Sequence, residues 1–324
     1  MTKAIILFAG GLFLLIKGGD WFVDGAAGLA RRFRLPELLI GATVVSIGTT
    51  LPEVLVSAGA AASGNGGMAY GNAIGSIICN TALIAALTVA IRPTAVARKT
   101  LLTPVIFFFI AAAFYGTVAY TGGHFSRLIG ILLLLLFAVY MVITVRQAIR
   151  TPVPAGEDAD HPAAETTLAK ELLLLIGGAA IIAVGADLLV TNGTQIAEEL
   201  GVPQTVISLT FVALGTSLPE LVTAVTALIK GHSALSLGNI IGANLFNLVL
   251  VSGIATTVSP FVLTDVQEKT LLGHNASLLV DLPVMLGAML LLCLPSVARQ
   301  KLSRWQGILL LCIYAGFCAF QFVG

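Results

Sequence analysis

Residues 41–58, GATVVSIGTTLPEVLVSA, and residues 208–225, SLTFVALGTSLPELVTAV, are two versions of one apolar segment, each carrying a single carboxylate. An offset of 167 residues superposes them without a gap and also lays Asp20 on Asp187, Pro36 on Pro203, Gly71 on Gly238 and Asn80 on Asn247. A match in register over about sixty positions is an internal repeat, so the two halves fold alike. Each half must also hold one acid, Glu53 or Glu220, inside a stretch with nothing else charged in it. In apolar chains that pattern builds one binding site from two halves.

Composition sets the solvent. With 57% apolar and 10% charged residues and a mean hydropathy of +1.01, the chain is far from the roughly 25% charged usage of soluble domains. Apolar stretches recur at the length that crosses about 30 Å of hydrocarbon. The fold class expected is an all-α polytopic membrane protein in which membrane lipid is the solvent. Ten spans are expected, at 4–24, 36–63, 69–91, 101–121, 127–148, 169–191, 203–229, 234–257, 276–296 and 305–323. The short apolar run after Lys3 has no small-residue cleavage site behind it, so it reads as a retained first helix. Residues 151–168, rich in Pro, Ala and acid, read as a linker between a first repeat at 1–150 and a second at 169–324. The four cysteines follow no metal spacing and read as small buried side chains, and no basic cluster points to nucleic acid.

Loop charge sets the orientation. Thirteen of the seventeen Lys and Arg residues fall in the loops after odd-numbered spans, and three, Lys3, Arg127 and Lys269, on the opposite side. The positive-inside rule then puts both termini outside and the linker in the cytoplasm, as in a prokaryotic inner membrane. Five spans is an odd number, so the second repeat enters from the opposite face. The repeats are expected to be inverted, with Glu53 and Glu220 meeting at mid-depth.

In GTTLPE and GTSLPE, glycine and proline bracket the segment before the acid. Proline removes a donor and is expected to kink or unwind the helix, freeing carbonyls around Ser46–Thr49 and Ala213–Thr216. Irregular backbone at membrane depth is tolerated where it lines a protein-enclosed cavity. Carbonyls, hydroxyls and one carboxylate per half make an oxygen cage suited to a hard cation such as Ca²⁺, and no His or Cys joins it. Asn80 and Asn247, each 27 residues after its glutamate, offer a carbonyl oxygen apiece. The glycines of GNAIGSIICN (71–80) and GNIIGANLFN (238–247) read as close-approach positions. Asp20 and Asp187 read as caps, or for Asp20 as a partner of Lys17. Asp281 reads as interfacial, and the four histidines as solvated.

GTTLPE and GTSLPE with GN-x-IG in each half resemble the α-repeats of the cation/Ca²⁺ exchanger superfamily, specifically its prokaryotic sodium/calcium exchangers. The likeness covers nearly the whole chain. It implies a ten-helix antiporter with four ion sites and no built-in regulatory domain. Glu53 and Glu220 would bind Ca²⁺ with the Thr49 and Thr216 carbonyls. Na⁺ would use the same acids with hydroxyls such as Ser76 and Ser217 and the Ser46 and Ala213 carbonyls. Thr50 stands where Ser is usual and keeps a hydroxyl. Asn247 stands where Asp is common, and Ala243 where a hydroxyl is usual. Two carboxylates carry −2, which one Ca²⁺ or two Na⁺ neutralise, whereas three Na⁺ leave +1.

The expected activity is Na⁺/Ca²⁺ antiport by alternating access, by a monomer needing no cofactor beyond the transported ions. A Ca²⁺/H⁺ antiporter of the same fold is the alternative, because desolvated glutamates can carry protons. A cation channel ranks below both. An enzyme is not expected: HExxH is missing, and no histidine lies at membrane depth to activate a serine.

Overall fold

Apolar runs of this length satisfy their backbone polar groups internally only as helices, and helices they are. The computed structural model describes residues 2–93, 95–150, 167–200, 215–266 and 270–323. The first five helices are α1 Thr2–Arg32, α2 Glu37–Ala62, α3 Gly66–Ile91, α4 Arg98–Tyr120 and α5 Arg127–Arg150. In the second half α6 is Leu168–Glu199, α7 Leu218–Ile229, α8 Ser233–Val258, α9 Ser277–Arg299 and α10 Arg304–Val323. Eight of the described helices are long and apolar enough to cross a membrane, and α7 is a shorter apolar helix. The residues 203–214 expected to begin span 7 lie outside the described residues. Large apolar side chains point outward all along these helices: Leu55, Leu128, Ile149, Leu173 and Ile176 among others are exposed. Such a surface suits hydrocarbon, not water.

Two compact units emerge, each drawing on both halves of the sequence: Met1–Thr49 with Gln147–Asn239, and Thr50–Arg146 with Ile240–Gly324. In the first unit, α1 and α6 lie antiparallel on glycines spaced seven apart. A Cβ on Gly11 would sit 2.8 Å from the Gly185 carbonyl oxygen, and one on Gly18 would sit 3.0 Å from that of Gly178. The repeat offset carries Gly11 onto Gly178 and Gly18 onto Gly185, so each glycine faces the other one's repeat mate. A self-complementary contact of this kind marks a two-fold axis between the helices. The two repeats are inverted, as odd span parity requires.

The second unit repeats the pattern. Gly307 of α10 lies against Ala86 and Ala90 of α3, and Gly130 of α5 against Gly253 and Thr257 of α8. Residues 86 and 90 map onto 253 and 257, so each repeat's fifth helix packs on the other repeat's third. A two-residue pairing of His124–Phe125 with Phe261–Val262 closes loops of the same unit, with Phe125 stacked on Phe261 at 4.9 Å between centroids.

Several expectations need correction. The helix does not unwind at Ser46–Thr49. It runs as α-helix from Ser46 to Ala62 with Pro52 inside it, and the irregularity lies one turn earlier, in a π-helical turn at Gly41–Val45. One proline removes one donor, here the one facing the Gly48 carbonyl, and a long packed helix absorbs that loss. In the second half a break falls at the end of the expected stretch, with α7 beginning at Leu218–Pro219 after a turn at Thr216–Ser217, while Ala213 and Leu214 lie outside the described residues. Asp20 and Asp187 are not caps, because α1 runs on to Arg32 and α6 to Glu199. A Cβ on Gly71 or Gly75 would meet nothing within 4 Å among the described residues, whereas Gly238 is tightly packed. Cys79 and Cys293 are buried, but Cys312 is exposed on the outward side of α10.

Candidate functional site

The two acids sit differently on their helices. Glu220 lies in the first turn of α7, behind Pro219. Proline is at home there because the first N–H groups lack helical partners anyway, and the helix dipole favours an anion at that end. Glu53 lies in the interior of the Ser46–Ala62 helix, one residue after Pro52. Both side chains are 0% exposed. Burial that complete removes water from a carboxylate, which costs several kcal/mol unless protein or an ion replaces it.

In the first unit, Ser46 and Thr49 of α2 face Asn239 of α8. Thr49 Oγ1 donates to Asn239 Oδ1 at 3.2 Å. Ser46 Oγ is 2.8 Å from the Gly41 carbonyl oxygen, and 3.0 and 3.3 Å from the carbonyl and side-chain oxygens of Asn239. Glycine makes this approach possible. A Cβ on Gly41 would run into the Leu235 carbonyl, and one on Gly238 into the Leu38 carbonyl. Ser217 is buried in the same unit, while Thr216 is half-buried in the turn before α7. Ala213 lies outside the described residues.

The second unit holds Thr50, Glu53, Ser76, Asn80 and Asn247, all buried. Asn72 of α3 reaches across to α2, with Nδ2 2.8 Å from Ser57 Oγ and 3.3 Å from the Glu53 carbonyl oxygen. Asn80 and Asn247 each open a π-helical turn, Asn80–Ala85 and Asn247–Val251. π-turns re-aim backbone and side chains and recur at functional sites. Their amide groups are fully buried, and among the described residues none of the four amide N and O atoms has a hydrogen-bond partner. Asparagine serving as interhelical glue would use those atoms. Nearby, Asn244 Nδ2 donates to Thr81 Oγ1 at 2.7 Å, and both face the Met289 sulfur. No group of three or more His, Cys, Asp or Glu side chains able to hold a metal occurs among the described residues. The carboxylate, amide, hydroxyl and backbone oxygens described above are the kind of donor a hard ion takes.

Asn72, Asn239 and Asn244 escaped the sequence reading. The matched GN of GNAIGS and GNIIGA was the available signal for the first two, but only packing reveals their partners. Ion pairs were missed as well. Arg32 grips Glu171 through Nε at 2.6 Å and Nη2 at 3.0 Å. Lys230, read as a loop cation, lies 2.7 Å from Asp24 and 3.5 Å from Asp20, while the expected Lys17–Asp20 pair is longer, at 3.9 Å. His232 is not solvated: its Nδ1 is 2.6 Å from Glu37 Oε1. Asp281, half-buried, accepts from Ser277 Oγ at 2.8 Å and Gln321 Nε2 at 3.0 Å.

Comparison with known proteins decides the family. Residues 3–146 and 170–323 match the family model described as Sodium/calcium exchanger protein. The chain belongs to that family. Among the exchanger's relatives, an uncharacterized membrane protein of Methanocaldococcus jannaschii is 36% identical over 94% of this chain and 93% of its own length. The inner membrane protein YrbG of Escherichia coli K12 is 37% identical over 80% and 81%. The sodium/calcium exchanger MaX1 of Methanosarcina acetivorans is 28% identical over 99% of both chains. A solved structure of the sodium-calcium exchanger NCX_Mj, soaked with Na⁺ and Sr²⁺, superposes with a TM-score of 0.81 at 34% identity, covering 98% of each chain. The family is one of transporters, and this exchanger is a membrane protein of the same fold.

Proposed function

We propose that this exchanger is a secondary antiporter that carries Na⁺ one way and Ca²⁺ the other by alternating access, both ions competing for Glu53 and Glu220. The observation that carries the reading is the pair of glutamates at repeat-matched positions, each with 0% exposure in a membrane protein. An unneutralised acid at mid-membrane costs about 2.5–3.5 kcal/mol on insertion scales. A divalent cation, or two monovalent ones, would cancel the charge of two buried acids. The amides of Asn80 and Asn247, buried and without protein partners among the described residues, support the same reading.

The ligand set we propose is Glu53 and Glu220 with the Thr49 and Thr216 carbonyls for Ca²⁺. For Na⁺ it is the same acids with Thr50, Ser76 and Ser217 hydroxyls and the Ser46 and Ala213 carbonyls, while the Asn80 and Asn247 side chains offer a carbonyl oxygen to either cation. Residues 1–150 and 169–324 act as the two inverted repeats, joined by the cytoplasmic linker 151–168, with both termini outside. Competition for shared acids couples the fluxes: a site loaded with Na⁺ has no charge left for Ca²⁺. The sodium/calcium exchanger names of MaX1 and NCX_Mj support Na⁺ as the driving ion.

The experiment is ⁴⁵Ca²⁺ uptake into proteoliposomes loaded with Na⁺, against K⁺- or choline-loaded controls and a separate pH jump. Uptake that needs an outward Na⁺ gradient is expected. Uptake driven by the pH jump and indifferent to Na⁺ would replace this reading with Ca²⁺/H⁺ antiport at the same glutamates.

A further inference from the structure

Asn239 belongs to no ligand set named above, yet it is 0% exposed and touches two residues of that set. Its Oδ1 lies 3.2 Å from Thr49 Oγ1 and 3.3 Å from Ser46 Oγ, and its backbone oxygen 3.0 Å from Ser46 Oγ. Its Nδ2 has no hydrogen-bond partner among the described residues, so the side chain is used here as an acceptor. The glycine contacts at Gly41 and Gly238 hold α8 backbone against α2 backbone and so fix the distance between these groups.

In an apolar interior a hydroxyl hydrogen needs an acceptor, and the bond it makes fixes the residue that carries it. Thr49 finds one in Asn239 Oδ1. Ser46 finds one in the Gly41 carbonyl at 2.8 Å, with both Asn239 oxygens behind it. Fixing the hydroxyls also fixes the first turn of the Ser46–Ala62 helix, whose backbone carbonyls are the ligands proposed above. Groups behind the direct ligands of a metal orient them in this way, and their loss typically costs about 10–100-fold in affinity or activity.

We infer that Asn239 is a positioning residue of the ion site, acting through the hydroxyls of Ser46 and Thr49 rather than on the ion itself. The inference rests on the proposed function and deepens it. Its repeat mate Asn72 has a related task farther along α2, where it holds the Glu53 carbonyl and Ser57.

The test is a mutant cycle in Na⁺-loaded proteoliposomes, read as Ca²⁺ KM and kcat separately. Asn239→Ala is expected to raise KM about 10-fold, the low end for groups behind a metal's ligands, with kcat changed less. Added to Ser46→Ala/Thr49→Val, it is expected to change KM no further, since the hydroxyls it acts through are gone. A further 10-fold rise in that background would mean that Asn239 acts independently and would overturn the inference. Should the alanine variant fail to fold, Asn239→Asp keeps the acceptor oxygens and is expected to hold KM at or below the wild-type value. A 10-fold rise for Asp would overturn it too. Wild-type vesicles that take up no Ca²⁺ under any gradient would sink the proposed function and this inference together. Active wild type with an additive cycle would sink the inference alone.

Discussion

At the scale of single residues, the chemistry is a matter of which oxygens carry charge. Glu53→Gln and Glu220→Gln keep size and hydrogen bonding but remove the charge that a divalent ion neutralises. Each is expected to bring Ca²⁺ uptake to the level of empty vesicles while leaving the protein folded on size-exclusion chromatography. Asn80→Ala and Asn247→Ala remove a neutral ligand and are expected to raise Ca²⁺ KM by about 10-fold, the worth of one hydrogen bond or ligand contact to a charged group. A KM unchanged by both would remove the asparagines from the site. The acids and the asparagine pair were legible in the sequence because a repeat prints each of them twice. Asn239 and Asn244 were not, because their partners are 190 and 163 residues away and only packing brings them into reach.

At the scale of elements, long-range contacts set what the chain tolerates. The ten spans could be placed from hydropathy to within a few residues of most helix ends, since hydrocarbon thickness dictates length. The π-helical turns at Gly41–Val45, Asn80–Ala85 and Asn247–Val251 left no periodic trace, because one extra residue in a turn does not alter an apolar run. Gly41 and Gly238 are where α2 and α8 backbones meet, so Gly238→Ala is expected to cost about 3 kcal/mol or more as overpacking, seen as a lower Tm in detergent. The Arg32–Glu171 pair ties the end of α1 to the start of α6, with the Glu171 side chain 5% exposed and that of Arg32 34%. Arg32→Met removes the two-pronged partner of a carboxylate that is 5% exposed and is expected to lower Tm, by an amount reduced by the solvation of Arg32. Arg32→Met/Glu171→Leu is expected to recover most of that loss. An Arg32→Met variant with the wild-type Tm would show that the pair contributes nothing.

At the scale of the molecule, the glycine contacts of α1 with α6, and those of α5 and α10 with α8 and α3, express one inverted repeat. The inversion followed from span parity alone, but not the exchange by which each repeat's fifth helix packs on the other half. A cysteine introduced at Ala155, in a background without the four native cysteines, is expected to react with an impermeant maleimide only from the cytoplasmic side. If three Na⁺ enter for each Ca²⁺ expelled, one charge crosses per cycle, worth about 2.3 kcal/mol per 100 mV. The most direct test of shared acids is competition on one face: Ca²⁺ KM measured against rising Na⁺ on the same side of the vesicle, in wild type and in Glu53→Gln and Glu220→Gln. Shared glutamates predict that Na⁺ raises KM without lowering the maximal rate, and that neither variant retains a Na⁺-sensitive Ca²⁺ flux. Na⁺ that lowers the maximal rate at constant KM, or a variant that still exchanges, would contradict it.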